Sequence, residues 1–276
     1  MNAAELDAYL RRIGHAVPSA ADLETLAAVQ LAHASSIAFE NLDPWLGVPV
    51  RLDAEALQHK LVRSGRGGFC CEHNLLLADA LRTLGFAPVQ LAASVLWNAP
   101  TETTRPRTHM LLVVDLGAHR YLVDAGFGGQ TLTGPLRLDL VTPQVTPHGR
   151  FRLLGSQGTW VLQAEVAASW KTMYTFDLQP QQLPDYELPC WYLCHHPESL
   201  FVQTLIAARP VAEGRQVLRN RELTLHGLDG EQQTQVLGST GELRDALQDV
   251  FGIDTSALAD LDNRFDRLPM PVAVAA

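Results

Sequence analysis

Cysteine is scarce in this chain, four among 276 residues, and two of the four are adjacent, Cys70 and Cys71. That excludes a disulfide-stapled scaffold and favours free thiols in a reducing compartment. Positive charge is scarce too: 21 Lys and Arg stand against 30 Asp and Glu, a formal net charge of −9. The basic footprint of a nucleic-acid partner is therefore missing. No run of Lys and Arg marks a membrane-surface helix, and no stretch approaches the ~20 apolar residues that span a bilayer. The opening residues Met1-Asn2-Ala3-Ala4-Glu5-Leu6-Asp7 lack the basic flank and apolar block of a secretory signal. The expectation is a cytoplasmic protein that works on neither nucleic acid nor membrane. No internal repeat or low-complexity linker appears, and a 47% hydrophobic content supplies a substantial core.

Up to about Phe86 the apolar spacing is helical. Asp22 or Ser19 can cap a helix bearing Leu23, Leu26, Ala27 and Leu31, and Asp53 opens another bearing Leu57, Leu61 and Val62. A third runs from near Cys70 through Leu84, with Gly85 as a left-handed stop. From about Ala87 to Phe176 short β-branched runs, such as Met110 to Val114 and Tyr121 to Val123, alternate with Gly, Pro and Thr clusters. This is the texture of a β-sheet or small barrel. The remainder mixes strand, Leu223-Thr224-Leu225, with an amphipathic helix over Glu242 to Phe251.

The segment Arg66-Gly67-Gly68-Phe69-Cys70-Cys71-Glu72-His73-Asn74 carries the densest chemistry. Glycines turn the backbone tightly and a helix follows, so Cys70 falls at a helix N-terminus. There the exposed N–H groups and the dipole favour an anion, and a thiol is acidified into the nucleophilic thiolate. Cys71 lies about 100° further round the helix, so the two do not face one cleft. A plain alternative stands beside this: a helix-entry loop followed by a small buried apolar residue.

A thiol nucleophile needs a base and the base an orienting group. Thr108-His109-Met110 and Val123-Asp124-Ala125-Gly126 lie on two strand-like runs joined across Leu116-Gly117. A hairpin centred there pairs residues whose numbers sum to 233, which makes His109 and Asp124 direct cross-strand neighbours, about 4.5–5.5 Å apart at Cβ. A three-residue loop would put them on opposite faces. Cys70, His109 and Asp124 together are the cysteine form of a nucleophile–base–acid triad.

These runs, with Phe127-Gly128-Gly129 after Gly126, and the block Ile37-Ala38-Phe39-Glu40-Asn41-Leu42 before them, resemble the motifs of the arylamine N-acetyltransferases. Trp191-Tyr192 with His196-Pro197-Glu198-Ser199 and Phe201 is similar to another block of that family, and the likeness covers roughly residues 5 to 205. The resemblance implies an α+β fold: a helical domain carrying the nucleophile over 1–86, a β-barrel domain carrying the His and Asp over 87–200, and an α/β lid over 201–276, around a cysteine-protease-like Cys-His-Asp core. It implies Cys70, His109 and Asp124 as catalytic residues and Phe39 and Phe127 as walls of the acceptor pocket. Thr108, Gly126, Gly128 and Gly129 would contact the acyl donor. Acetyl-CoA is the implied co-substrate, without a metal. Small aromatic amines, arylhydrazines or N-hydroxyarylamines are the implied acceptors, in a ping-pong reaction of a monomer or homodimer.

Cys71 and His73 depart from the family's usual bulky apolar and uncharged residues, and Ala38 from its usual Pro. A cysteine hydrolase or transglutaminase-type acyl transferase shares the same triad and differs in what attacks the thioester. Cys190, Cys194, His195 and His196, with Cys70, Cys71 and His73, could also be read as zinc ligands, although Cys190 and Cys194 read better as packed core. Arg66, Glu40 and Glu72 could form an ion-pair cluster behind the Cys70 loop, with a solvated position equally open to Glu72.

Overall fold

The computed structural model describes residues 1–100 and 104–271. The first stretch is helical as the spacing predicts, with α1 (Ala3–Arg12), α2 (Leu23–Ser36), α3 (Leu42–Leu46), α4 (Ala54–Leu57) and α5 (Cys70–Thr83). One departure is a two-residue strand, β1 (Phe39–Glu40). Asp22 rather than Ser19 caps α2 by accepting from the Thr25 N–H, and Asp53 caps α4 through Ala56; each such cap contributes about 1 kcal/mol. Helix α4 continues into a π-helical turn, Gln58–Arg63, which carries Lys60. After α5, Gly85 adopts a positive φ of 94°.

Eight antiparallel strands follow: β2 (Pro88–Val95), β3 (Arg107–Leu116), β4 (His119–Val123), β5 (Leu136–Arg137), β6 (Gln144–Thr146), β7 (Gly149–Ser156), β8 (Thr159–Val166) and β9 (Ser169–Asp177). Their order, β5-β4-β3-β2-β9-β8-β7-β6, makes a nearly closed, barrel-like sheet. Strand β3 is buried on both faces. Leu111 and Val113 join Leu91, Phe151, Leu162 and Tyr174 inside the sheet, while Met110, Leu112 and Val114 pack with α5 residues Leu77 and Leu81. That is why β3 reads as an unbroken apolar run rather than an alternating one. His109 ends the inward-facing row.

Beyond the barrel lie α6 (Leu183–His195), α7 (Leu200–Gln203), β10 (Ile206–Val211), β11 (Gly214–Arg219), β12 (Glu222–Gly227) and β13 (Gln232–Val236). Then come α8 (Thr240–Asp245), a π-helical turn over Ala246–Val250, and α9 (Leu261–Asp266). Strand β1 completes this second sheet, β1-β10-β11-β12-β13. The helical N-terminal stretch is thus tied to the C-terminal one, and Phe39 comes to lie opposite Ala208. Trp45 of α3 packs with Leu218, Leu243, Leu247, Phe251 and Phe265 behind this sheet.

The β3–β4 hairpin corrects the expected register. Leu116 pairs with His119 and Leu112 with Val123, so partners sum to 235, not 233. The turn is Gly117-Ala118, with Gly117 at φ 60°, as a two-residue turn with glycine first requires. The slip is two residues, so every side chain keeps its face. Asp124, just past the end of β4, is diagonal to His109 rather than opposite it.

Candidate active site

Cys70 is the first residue of α5. Phe69 before it is extended, with φ −110° and ψ −172°, and offers no side-chain cap. Its own N–H donates instead to Glu72 Oε2 at 3.0 Å. The positive end of the helix is therefore left to act on Cys70. The residue is 4% exposed, and as a thiol it donates to the Thr108 carbonyl at 3.6 Å. The neighbouring Cys71 thiol, by hydrogen bonding, and then His109, by hydrogen bond and charge, outweigh burial and hold the Cys70 thiol well below its usual range.

His109 places Nε2 2.7 Å from Asp124 Oδ2, with both residues buried. The hydrogen bond between His109 and Cys70 is left to the other ring nitrogen, Nδ1. Burial opposes charge on the imidazole, yet Asp124 and then Cys70 outweigh it and raise His109 to about 10. Both shifts favour a thiolate beside an imidazolium. Asp124 accepts at both oxygens: Oδ1 from Asn74 Nδ2 at 3.0 Å and the Gly126 N–H at 2.9 Å, Oδ2 from the Tyr174 hydroxyl at 3.0 Å as well as from His109. Burial raises this carboxyl, but His109, Asn74 and Gly126 together hold it below the usual range.

Each polar residue of the first turn of α5 is buried with partners, as buried polar groups must be. Glu72 is not solvated: its Oε1 takes Lys60 Nζ at 2.7 Å, and Lys60 also reaches Asp43 at 2.6 Å. Arg66 bridges Glu40 and Asp43 at 2.7 and 2.8 Å. The expected cluster exists with Asp43 and Lys60 as its unforeseen middle members. Burial raises Glu72 to about 7 against the pull of Lys60.

His73 enters a different chain. Its Nε2 lies 3.1 Å from the Ala38 carbonyl and must donate there, so its Nδ1 accepts from His33 Nε2 at 2.9 Å. His33 Nδ1 then accepts from the Tyr9 hydroxyl at 2.9 Å. Both imidazoles are neutral. Burial pushes His73 down to about 4, and burial followed by His73 and Arg12 pushes His33 well below the ordinary value. The Ala38 carbonyl at the end of this chain also accepts the Gly68 N–H at 3.3 Å. A Cβ on Gly67 would stand 2.0 Å from the same oxygen, so no other residue fits that approach.

Most of the residues expected to bind substrate gather around Cys70. A Cβ on Gly126 would fall 2.7 Å from Cys70 Cα, and Gly128 lies 3.4 Å from the Phe39 ring by the same measure. The N–H groups of Gly126 and Phe127 are spent on Asp124 and Thr131, whereas Gly129 approaches Val217 of β11. The Phe127 ring stands edge-on to His109 at 5.2 Å, and Trp97 and Tyr174 extend that aromatic wall. Phe201 faces Phe39 at 5.9 Å. Asn74 and Tyr174 were not singled out as site residues. Asn74 had a signal, one helical turn beyond Cys70; Tyr174 depends on pairing between distant strands and had none. Cys71 is turned into the apolar cluster that also holds Cys190 and Cys194. It nevertheless interacts with Cys70, and that contact followed by burial pushes its own thiol well up, which helical angle alone did not suggest.

The family model for N-acetyltransferase matches residues 22–259. The chain is 43% identical over 264 residues to the arylamine N-acetyltransferase of Mycolicibacterium smegmatis, covering 94% of this chain and 96% of that one. The chain belongs to the arylamine N-acetyltransferase family. It is also 36% identical to an arylamine N-acetyltransferase / N-hydroxyarylamine O-acetyltransferase of Salmonella typhimurium, over 98% of this chain and 95% of that protein. A solved structure of the Mycobacterium marinum arylamine N-acetyltransferase in complex with CoA superposes with a TM-score of 0.91 at 39% identity, covering 95% of this chain and 98% of that one. Like these relatives, the chain is an acetyltransferase by family. Among the described residues no group of three or more His, Cys, Asp or Glu is placed to hold a metal ion, and no helix is long and apolar enough to cross a membrane.

Proposed function

We propose that this chain transfers the acetyl group of acetyl-CoA to arylamines, arylhydrazines or N-hydroxyarylamines through a thioester on Cys70. The observation that carries this reading is the placement of Cys70 at the start of α5, its sulfur 3.6 Å from the carbonyl of Thr108 and so beside His109, which Asp124 holds at 2.7 Å. Phe39, Phe127, Trp97 and Phe201 offer flat apolar walls suited to an aromatic acceptor. Thr108, Gly126, Gly128 and Gly129 border the approach of the acyl donor. The strand β1 and the C-terminal sheet support a reading of residues 201–276 as a lid over a helical domain, 1–86, and a barrel domain, 87–200. A free nucleophilic thiol suits a reducing cytoplasm.

The Cys70 thiolate attacks the acetyl carbonyl, and the imidazolium of His109 gives its proton to the departing CoA thiolate. The amine then attacks the acetyl-cysteine, His109 takes up the amine's proton, and the tetrahedral adduct collapses to amide and thiolate. Asp124 keeps the ring oriented and its cation stabilised throughout. Incubation with acetyl-CoA alone should add one acetyl group at Cys70, located by peptide mass spectrometry. Double-reciprocal plots should be parallel when one of amine and acetyl-CoA is varied at several fixed levels of the other. Acetyl on Cys71, or intersecting lines, refutes the reading; release of acetate to water faster than to any amine replaces it with a cysteine hydrolase.

A further inference from the structure

Cys190 and Cys194 sit one turn apart on α6, and their sulfurs are 4.0 Å apart. Both are free thiols. Their spacing puts them on one face of the helix, where they form part of the wall of a 320 Å³ cavity between α6 and residues 50–53. Leu52, Leu183 and Trp191 supply apolar wall, and Cys70 does not line this cavity.

A 4.0 Å separation is about twice a disulfide's sulfur–sulfur bond of ~2.05 Å. It is nearer the span of two thiols that grip one trivalent atom: with ~2.3 Å bonds at a pyramidal angle of about 100°, two sulfurs lie about 3.5 Å apart, a small side-chain rotation from the observed separation. A metal ion would demand further ligands, and among the described residues no group of three or more is placed to supply them. An atom that takes only two sulfurs and brings its own organic substituent needs none. We propose that Cys190 and Cys194 form a dithiol site for trivalent organoarsenicals, with the arsenic bridging the two sulfurs and its aryl group in the 320 Å³ cavity.

The chemistry balances without an oxidant. An aryl arsenoxide condenses with both thiols: the arsenic–oxygen double bond and two S–H bonds break, two arsenic–sulfur bonds form, and the oxygen leaves as water with both thiol protons. Arsenic stays trivalent. The cavity is at the small end of the ~300–1,000 Å³ range of ligand pockets, enough for a single ring. The adjacent pair Cys70 and Cys71 is a poorer clamp, because side chains one residue apart diverge by about 100°. Hydrogen bonding to Cys194 and then burial push the Cys190 thiol up. It is therefore shielded from reagents that need a thiolate, while a condensation that consumes thiols remains open to it.

Phenylarsine oxide added to the full-length protein tests this, with intact mass and peptide mapping as readouts. The expected result is one phenylarsenic group per chain bridging Cys190 and Cys194, resistant to excess 2-mercaptoethanol and released by 2,3-dimercaptopropanol. Cys70→Ala should retain it. Cys190→Ser or Cys194→Ser should weaken uptake by about 10²–10⁴-fold, the gain expected of a second, intramolecular bond. A monothiol-resistant adduct mapped to Cys70 or Cys71 overturns the proposal, and so does unchanged affinity in the single serine variants. Only monothiol-labile adducts on the unmodified chain would overturn it as well; the mapping needs no variant to fold.

Discussion

Asp124 Oδ2 lies 2.7 Å from His109 Nε2 although the two residues are diagonal, not opposite, across their hairpin. The carboxylate bends back from the end of β4 and is held there by Asn74, Tyr174 and the Gly126 N–H. Removing its charge while keeping its shape isolates its electrostatic part. Asp124→Asn should lower acyl transfer by about 10²–10⁴-fold, as charge removal from such triads does. It should also let His109 fall from about 10, because burial is then opposed by Cys70 alone. Steady-state kinetics and circular dichroism check this: activity within a few-fold of the parent, in a folded protein, sinks the role given to Asp124.

The hairpin also marks how far the sequence is legible. The short apolar, β-branched runs Met110 to Val114 and Tyr121 to Val123 announce two strands, and the even slip from 233 to 235 leaves every face unchanged. The pairing of His109 with Asp124 was therefore foreseeable even from a wrong turn. The helix start at Cys70 was readable from its glycines, and Asp22 and Asp53 from their capping chemistry. Tyr9, His33 and Tyr174 were not. Each meets the site across 24 to 50 residues of sequence, and no local period encodes such a contact. Strand β1 was missed for a related reason: two residues carry no period, and its partner is β10.

Gly126→Ala should be costly for a purely steric reason. The new Cβ would meet Cys70 Cα at 2.7 Å and the Cys70 carbonyl oxygen at 3.0 Å, both backbone atoms that cannot swing aside. Overpacking of this kind costs typically 1–3 kcal/mol, and here the strain falls on Cys70, the proposed nucleophile. The expected result is a loss of acyl transfer larger than the loss of stability explains. Chemical denaturation beside kinetics measures both; a variant with parental activity would mean that the loop does not press on Cys70.

The Tyr9–His33–His73 chain should make the protein acid-sensitive. His73 titrates near 4 in the folded protein against 6.5 ordinarily, so the unfolded chain binds the proton first as pH falls. Stability is thus lost between pH 6.5 and about 4, by about 3 kcal/mol from this residue. His33 acts in the same direction. Glu72, raised to about 7, acts in the opposite one, since its costly ionised form disappears as pH drops through that value. The comparison must therefore be with His73→Gln, whose amide can still donate to Ala38 but does not titrate. Unfolding free energies at pH 7, 5.5 and 4 should converge between the two proteins as the pH falls, and parallel curves would show that His73 is not held neutral.

The reactivity of Cys70 should be nearly independent of pH where an ordinary thiol's is not. A free cysteine near 8.5 becomes about tenfold less thiolate for each unit of pH below that value. Cys70 lies well below the usual range, held by Cys71 and His109, and His109 keeps its proton up to about 10. Iodoacetamide should therefore label Cys70 at a level rate between about pH 6 and 9. Cys71, pushed well up by Cys70 and by burial, should stay unlabelled over the same window. Acetylation by acetyl-CoA should share the plateau but decline as pH passes about 10, because in the proposed mechanism the departing CoA thiolate then loses the proton that His109 would supply. Replacing His109 by Gln should raise Cys70, with only the Cys71 hydrogen bond and a backbone contact left against burial, and so push the lower edge of the plateau to higher pH. A labelling rate that climbs tenfold per unit through neutral pH in the unmodified enzyme would mean that thiol and imidazole are both neutral, and the ion pair would have to be abandoned.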